Sequence, residues 1–125
     1  MIIGVGIDLL DISRMKKDLK GKSGLREELF TAEEIEYCEK KRYPEQHYAV
    51  RFCAKEAFFK ASGIGSRGGL TWKEIRVTHT DLGLPDLHLV GKALETAEKL
   101  GVKKIHLSLS HTRTTAAAVV ILEST

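Results

Sequence analysis

The residues of this sequence best suited to chemistry are two carboxylates and a lysine. Glu56 and Lys60 lie about one helical turn apart within residues 51–61, a segment that places two lysines and one glutamate among apolar residues. Asp8 follows residues 2–7, a β-branched run whose glycines permit close backbone packing. An ionised carboxylate buried without a partner is costly or has a raised pKa, so Glu56 needs a cation. Two such acids, with water and substrate phosphate completing the coordination, predict a magnesium site.

Both acids also have a simpler interpretation. Glu56 and Lys60 could form an i,i+4 ion pair, which contributes only about 0.3–0.5 kcal/mol when it is exposed. Asp8, which we expect at the end of the first strand, could cap the following turn, a common role for aspartate. These alternatives stay open at the level of the sequence.

Two later segments could contact an anionic ligand. Residues 63–69 match the pattern G-x-G-x-x-G, but they follow a helix and open none, which is typical of a flexible connector and not of a dinucleotide site. The backbone amides there, beside Lys60 and Arg67, could still bind an anion. Ser110 and His111 are neighbours on a predicted strand and point to opposite faces, so they form no nucleophile and base pair. His111 could act as a general base or bind phosphate, although a surface histidine is the simpler interpretation.

The elements that must position these residues follow from periodicity and capping. Residues 31–34, Thr-Ala-Glu-Glu, have the form of a capping box and predict a helix to about Lys41. Residues 45 to about 62 are apolar around most of the helical circumference, which predicts a central, buried helix closed by Gly63. The other expected elements are a strand over 2–8, a basic helix capped by Asp11 or Ser13 and reaching about Lys20, a hairpin of strands 74–79 and 86–90, a helix over 91–100, and strands over 104–110 and 115–122. This order predicts one α+β domain over residues 1–125, with helices, including one long central helix, packed on a mainly antiparallel sheet.

Composition narrows the class of protein. The 125 residues are 42% hydrophobic, enough for one packed core, and two cysteines without zinc-site spacing favour a reducing cytosol over secretion. A signal-peptide pattern is lacking and no apolar run approaches the ~20 residues of a membrane span, so we expect a soluble, cytoplasmic protein without membrane partners. Basic residues cluster over 14–22, which favours an acidic partner. Aromatic residues make up only 6% and none lies among those bases, which argues against nucleic-acid binding.

Taken together, five segments resemble the 4'-phosphopantetheinyl transferase family, and within it the small bacterial holo-[acyl-carrier-protein] synthases. The segments are residues 4–14 (GVGIDLLDISR), 30–34 (FTAEE), 51–63 (RFCAKEAFFKASG), 83–85 (GLP) and 108–112 (SLSHT). The G-x-G-x-D opening and the later A-K-E-A-x-x-K-A helix, in that order and at this chain length, form a specific combination. The match spans nearly the whole chain.

The resemblance implies an activity and its participants. Family members transfer the phosphopantetheine arm of coenzyme A to a serine hydroxyl of an apo acyl carrier protein and release 3',5'-ADP, a Mg²⁺-dependent reaction of fatty acid biosynthesis. They are active as homotrimers whose sites lie between subunits. We therefore expect an enzyme with Mg²⁺ as cofactor, and with coenzyme A, an acyl carrier protein and further copies of this chain as partners.

The family's functional residues can be carried over position by position. Asp8 and Glu56 match the family's magnesium ligands, and Lys60 matches the lysine that lies beside the phosphates. Arg14 matches an arginine of the helix that docks the acidic carrier protein. The resemblance thus implies a catalytic set of Asp8, Glu56, Lys60 and His111. The positions assigned to the coenzyme are Arg51, Lys60, Gly63, Gly65, Ser110 and His111. The base that takes the serine proton stays open between a metal-bound water, Glu56 and His111.

Two other functions compete with this assignment. The basic residues 14–22 could belong to a binding module that holds an acidic protein or RNA without chemistry. The two carboxylates could instead serve a metal-dependent pyrophosphatase that uses water as the acceptor. Dependence on Glu56 distinguishes the transferase from the binding module. Modification of a carrier protein, in place of a reaction with water alone, distinguishes it from the pyrophosphatase.

Overall fold

The computed structural model of the protein describes residues 1–64 and 69–125. Within these ranges the elements in chain order are β1 (Ile2–Asp11), α1 (Ile12–Gly21), α2 (Leu25–Leu29), α3 (Ala32–Glu39), α4 (Pro44–Ser62), a 3-10 turn (Trp72–Glu74), β2 (Ile75–His79), β3 (Pro85–Leu89), α5 (Gly91–Lys99), β4 (Lys104–His111) and β5 (Thr115–Glu123). The predicted α+β architecture, with antiparallel sheets and one long helix, is confirmed.

The strands form two antiparallel sheets. β5 lies in the middle of a three-stranded sheet, between β1 and β4, while β2 and β3 form a separate hairpin. One predicted boundary is wrong, because β1 does not end at Asp8. Asp8 pairs with Ala118, and the pairing continues until Asp11 lies opposite Thr115, the first residue of β5. The backbone pairing of β1 with β5 therefore places Asp8 within the strand. The side-chain pattern of β1 does not reveal this pairing.

The long helix α4 packs directly on β1 and β5 and is buried around most of its circumference, as its apolar sequence predicts. Two glycines of β1 allow this close approach. A Cβ atom at Gly4 would overlap the backbone of Ala61, and one at Gly6 would overlap the carbonyl of Ala57. Only glycine fits at these positions. The face of β1 that carries Asp8 therefore lies directly against α4.

Local chemistry sets the ends of the helices around the site. Pro44 occupies the first turn of α4, where its missing N–H is not needed, and Gly63 ends the helix in the left-handed conformation with φ of 73°. The predicted capping box forms, with Thr31 N donating to Glu34 Oε1 at 2.8 Å and Glu34 N donating to Thr31 Oγ1 at 3.2 Å. No helix in the described part of the chain is both long and apolar enough to cross a membrane.

Four local details differ from the sequence prediction. α2 was not predicted, because its five residues are too few to show an apolar repeat. Glu74, expected in a strand, belongs to the 3-10 turn, where its carboxylate accepts a hydrogen bond from Thr71 N at 2.9 Å. α1 begins after Asp11, but the Asp11 side chain makes no capping hydrogen bond. The α3 helix also ends at Glu39, two residues early.

Candidate active site

Asp8 lies on the inner face of β1. Its neighbours Ile7 and Leu9 point away from α4 and are 58% and 66% exposed, whereas only 14% of the Asp8 side chain is exposed. Successive residues of a strand face opposite sides of the sheet, so β1 presents Gly4, Gly6 and Asp8 to the same helix. The carboxylate therefore lies between the sheet and α4. The sequence had predicted a position at the end of a strand, which is wrong.

Lys60 of α4 contacts this carboxylate. Its Nζ lies 3.0 Å from Asp8 Oδ1 and donates a second hydrogen bond to the Ile7 carbonyl at 2.9 Å. The ion pair of Lys60 with Asp8 thus joins the helix to β1. Because the lysine side chain is half exposed, the pair contributes little to stability, and its main effect is to place a positive charge beside Asp8.

Asp8 and Glu56 line the same cleft. The cleft lies between β1, α1, α2 and α4 and has a volume of about 490 Å³. Arg14 of α1 borders it, and the rings of Phe52 and Trp72, with centroids 4.9 Å apart, contribute an aromatic part of its lining. Two acids that are distant in sequence are thus brought to one concave surface, which is the arrangement that the magnesium hypothesis requires.

The donor set of this cleft fits a hard divalent cation. Asp8 and Glu56 offer carboxylate oxygens, the ligands that Mg²⁺ prefers. Burial, followed by the negative charges of Asp8 and Glu56, raises the pKa of the nearby Cys53 thiol to about 12, so Cys53 stays protonated and offers no thiolate. Among the described residues, no group of three or more His, Cys, Asp or Glu side chains is arranged to hold a metal. A cation here would depend on water and substrate oxygens for its remaining ligands.

Arg51 and His111, both assigned to the coenzyme, lie outside this cleft. Arg51 is buried, with its Cζ 4.2 Å from the centroid of the Tyr37 ring, and its Nη1 donates to the His47 carbonyl at 3.2 Å. Its Nε is buried without a hydrogen-bond partner among the described residues. The His111 ring lies 6.2 Å from the His47 ring. Arg51 and His111 therefore belong to a second cluster that is separate from the Asp8 cleft.

The second cluster contains residues that the sequence analysis missed. The Tyr37 ring stacks on His79 with centroids 4.8 Å apart, and Lys41 Nζ lies 4.5 Å from the Tyr37 centroid. Burial, followed by the charges of Arg51 and Lys41, lowers the pKa values of His47 and His79. Cations and imidazoles grouped in this way can bind an anion such as phosphate. His47 and Arg51 share α4, whereas the rings of Tyr37, His79 and His111 come from α3, β2 and β4, so no single motif in the sequence connects the cluster.

The remaining predicted site residues occupy three different places. Arg14 is exposed on α1, with its Nε 4.0 Å from Asp18 Oδ2. Ser110 is exposed on β4, one residue before His111. Gly63 follows the last residue of α4 and so lies close in sequence to Lys60. Gly65, the last of the predicted coenzyme positions, lies outside the described residues.

Known proteins share both the sequence and the fold of this chain. Residues 4–120 match the model of the 4'-phosphopantetheinyl transferase superfamily. The chain is 50% identical over 124 residues to the holo-[acyl-carrier-protein] synthase of Syntrophus aciditrophicus (strain SB), covering 98% of this chain and 97% of that protein.

Two solved structures extend the comparison. The holo-[acyl-carrier-protein] synthase of Neisseria meningitidis superimposes with a TM-score of 0.86 at 34% identity, covering 98% of this chain and 99% of that chain. The holo-(acyl-carrier-protein) synthase from Bacillus anthracis was solved in complex with CoA (3',5'-ADP). It superimposes with a TM-score of 0.82 at 31% identity, covering 100% of this chain and 99% of that chain. On sequence and structure alike, this chain belongs to the 4'-phosphopantetheinyl transferase superfamily.

Proposed function

We propose that this protein is a holo-[acyl-carrier-protein] synthase, which transfers the 4'-phosphopantetheine group of coenzyme A to a serine of apo acyl carrier protein in fatty acid biosynthesis. The observation that carries the proposal is the meeting of Asp8 and Glu56 in one cleft, in a chain of this superfamily. A relative that is 50% identical over almost the full length carries this name. A relative of the same fold has been solved with the coenzyme.

The reaction demands positioning and charge neutralisation more than covalent participation by the protein. The serine oxygen forms a bond to the phosphorus that bears the pantetheine arm, and the bond from that phosphorus to the departing 3',5'-ADP oxygen breaks. Mg²⁺, when bound, would neutralise the diphosphate and polarise the phosphoryl group under attack. Asp8 and Glu56 would hold the ion, and Lys60 would add a second positive charge at the diphosphate.

The serine proton must pass to a base. Of the two protein groups suited to this role, Glu56 lines the cleft together with Asp8, whereas His111 of the same subunit lies in the second cluster. Glu56 is therefore the better candidate within one subunit. His111 could take part only if a neighbouring subunit brought it to the cleft.

The outer face of the three-stranded sheet supports a homotrimer with shared sites. Val5, Ile7 and Leu9 of β1 are all more than half exposed, and their β5 partners continue the same apolar face. The aligned pairs are Val5 with Ile121, Ile7 with Val119, and Leu9 with Ala117. An uncovered apolar face of this kind is typical of a subunit interface. Assembly through it would let the Arg51 and His111 cluster of one subunit meet the Asp8 cleft of another.

The exposed basic residues of α1 fit an acidic carrier protein. Arg14 and Lys22 border the cleft itself, and Lys16, Lys17 and Lys20 lie on the same short helix. Opposite charges at such a surface accelerate encounter and orient the partner. We place the reaction in the cytoplasm, where the free, buried thiols of Cys38 and Cys53 stay reduced.

Mass spectrometry of a carrier protein tests the proposed function. Apo acyl carrier protein incubated with the enzyme, coenzyme A and Mg²⁺ should gain one phosphopantetheine group, and an equal amount of 3',5'-ADP should appear. Glu56→Gln should abolish this transfer while it spares carrier-protein docking. A carrier protein that stays unmodified by the intact enzyme would reject the proposal, and 3',5'-ADP released without carrier protein would favour the pyrophosphatase.

A further inference from the structure

A buried lysine next to Glu56 links the segments that surround the cleft. Lys55 is completely buried, and its ammonium donates to Glu34 Oε1 at 2.8 Å, to the Leu29 carbonyl at 2.9 Å and to the Trp72 carbonyl at 3.1 Å. An ammonium has three N–H bonds, so these three acceptors use its full capacity. Lys55 therefore connects α4 to α2, α3 and the 3-10 turn at one point.

The partner of Lys55 is equally well satisfied. Glu34 is 3% exposed, and its Oε1 also accepts from Thr31 N at 2.8 Å, while its Oε2 accepts from Val77 N at 3.0 Å. A buried ion pair of this kind adds little stability compared with an apolar pair, because both charges have lost their water. Its fixed hydrogen-bond directions instead select one arrangement of the attached segments.

The atoms that Lys55 holds belong to the lining of the cleft. Leu29 is the last residue of α2 and Trp72 the first of the 3-10 turn, and both line the cleft with Glu56. Glu56 directly follows Lys55 on α4, and the Phe52 ring, one turn earlier, contacts the Trp72 ring. The bonds of a single ammonium therefore tie both walls to the helical turn that carries Glu56, and the ring contact with Phe52 supports the Trp72 wall.

We propose that Lys55 is a positioning residue, which fixes the Leu29 and Trp72 walls against the helical turn that carries Glu56. Because its side chain is completely buried, it would touch neither the coenzyme nor the reacting phosphorus. Its contribution to turnover, which rests on the proposed function, is to hold the width of the cleft in which serine and diphosphate meet. A misplacement of reacting groups by about 1 Å can reduce a rate by about 100-fold.

The fluorescence of Trp72 reports directly on this wall, because Trp72 is the single tryptophan of the protein. Lys55→Met leaves the Glu34 carboxylate buried and unpaired, so the double variant Glu34→Gln with Lys55→Met, which removes both charges, is measured beside it. For variants whose circular dichroism shows a folded protein, we expect a red-shifted Trp72 emission and stronger acrylamide quenching. We also expect kcat to fall about 10- to 100-fold, with the KM for coenzyme A changed less than kcat.

Tyr48→Phe provides the matched control. It removes a hydrogen bond of 2.6 Å to Glu39 from a buried residue of the same helix, away from the cleft. This variant should lose stability but keep wild-type emission and kcat. The proposal is overturned if a folded Lys55 variant keeps both the emission and the kcat of the wild type, or if neither variant folds, since Lys55 would then serve the whole fold. The emission readout is independent of the proposed function, which only the mass spectrum tests.

Discussion

The Lys60 ammonium reaches from α4 to β1 and lies 3.0 Å from the Asp8 carboxylate. This ion pair places one positive charge beside Asp8, one of the two acids proposed to hold the metal. It also shows how closely the helix and the strand approach, since the same ammonium donates to the Ile7 backbone carbonyl. A cation binding at Asp8 and Glu56 would therefore meet an existing lysine charge, an arrangement suited to a diphosphate with several negative oxygens.

Asp8→Asn should weaken divalent metal binding. The amide keeps the size of the side chain but loses the negative charge that attracts Mg²⁺. We expect the affinity for Mn²⁺, measured by electron paramagnetic resonance, to fall by at least about 10-fold, with a larger loss of turnover. Asp81→Asn, at an exposed aspartate of the turn between β2 and β3, is the control and should bind Mn²⁺ as the wild type does. Unchanged binding in Asp8→Asn would exclude Asp8 as a ligand.

Gly6→Ala should separate α4 from β1. The added Cβ would overlap the Ala57 carbonyl, and backbone atoms cannot move aside as a flexible side chain can. Overpacking of this kind costs about 1–3 kcal/mol of unfolding free energy, which urea denaturation would measure. At Gly21, the last residue of α1, an added Cβ meets nothing within 4 Å, so Gly21→Ala should leave the stability nearly unchanged. Equal stability of the two variants would show that the packing at Gly6 is looser than the structure indicates.

The stability of the protein should decrease as the pH falls below about 6.5. Burial, then the charges of Arg51 and Lys41, lowers the pKa of His47, and the same causes act on His79. The unfolded chain, whose histidines have pKa values near 6.5, therefore binds protons first as the pH falls. The contribution of these neutral imidazoles is fully present above pH ~6.5 and is lost as the pH falls towards their lower folded values.

A histidine variant isolates this effect from other titrating groups. We expect His47→Gln to reduce the slope of unfolding free energy against pH between about pH 6.5 and 5, relative to the wild type. His88→Gln, on the exposed side of β3, is measured beside it as a control for the substitution of a histidine by glutamine. If the unfolding free energies of wild type and His47→Gln changed by the same amount over this pH range, the expectation would be contradicted.

Mixed subunits test whether a site is shared. If Asp8 acts with His111 of a neighbouring subunit, then Asp8→Asn and His111→Ala should each be inactive when assembled alone. Unfolding and refolding an equal mixture should restore activity at about one quarter of the sites, because random assembly pairs two intact halves with that frequency. Activity is measured by transfer to carrier protein. A mixture that stays inactive although both variants assemble would show that each site lies within one subunit.

The order and type of most elements could be predicted from the sequence. The apolar circumference of α4, the Thr31 capping box and the alternation of the later strands are local patterns, and they predict local structure well. The end of β1 could not be predicted, since it depends on pairing with β5, more than 100 residues away. The five-residue α2 offers no periodic signal, and its position depends on tertiary contacts such as the hydrogen bond from Lys55 of α4 to the Leu29 carbonyl.

The candidate site divides in the same way. By itself the sequence determined that Asp8, Glu56 and Lys60 are charged residues in apolar surroundings, and that they need one another or a ligand. Only the tertiary structure decided that Lys60 pairs with Asp8, that Arg51 and His111 lie in a second cluster, and that Lys55 links the cleft walls. The physical reason is that charge and burial preferences are properties of single residues. Which residues far apart in sequence come into contact is fixed only when β1, α4 and β5 pack together.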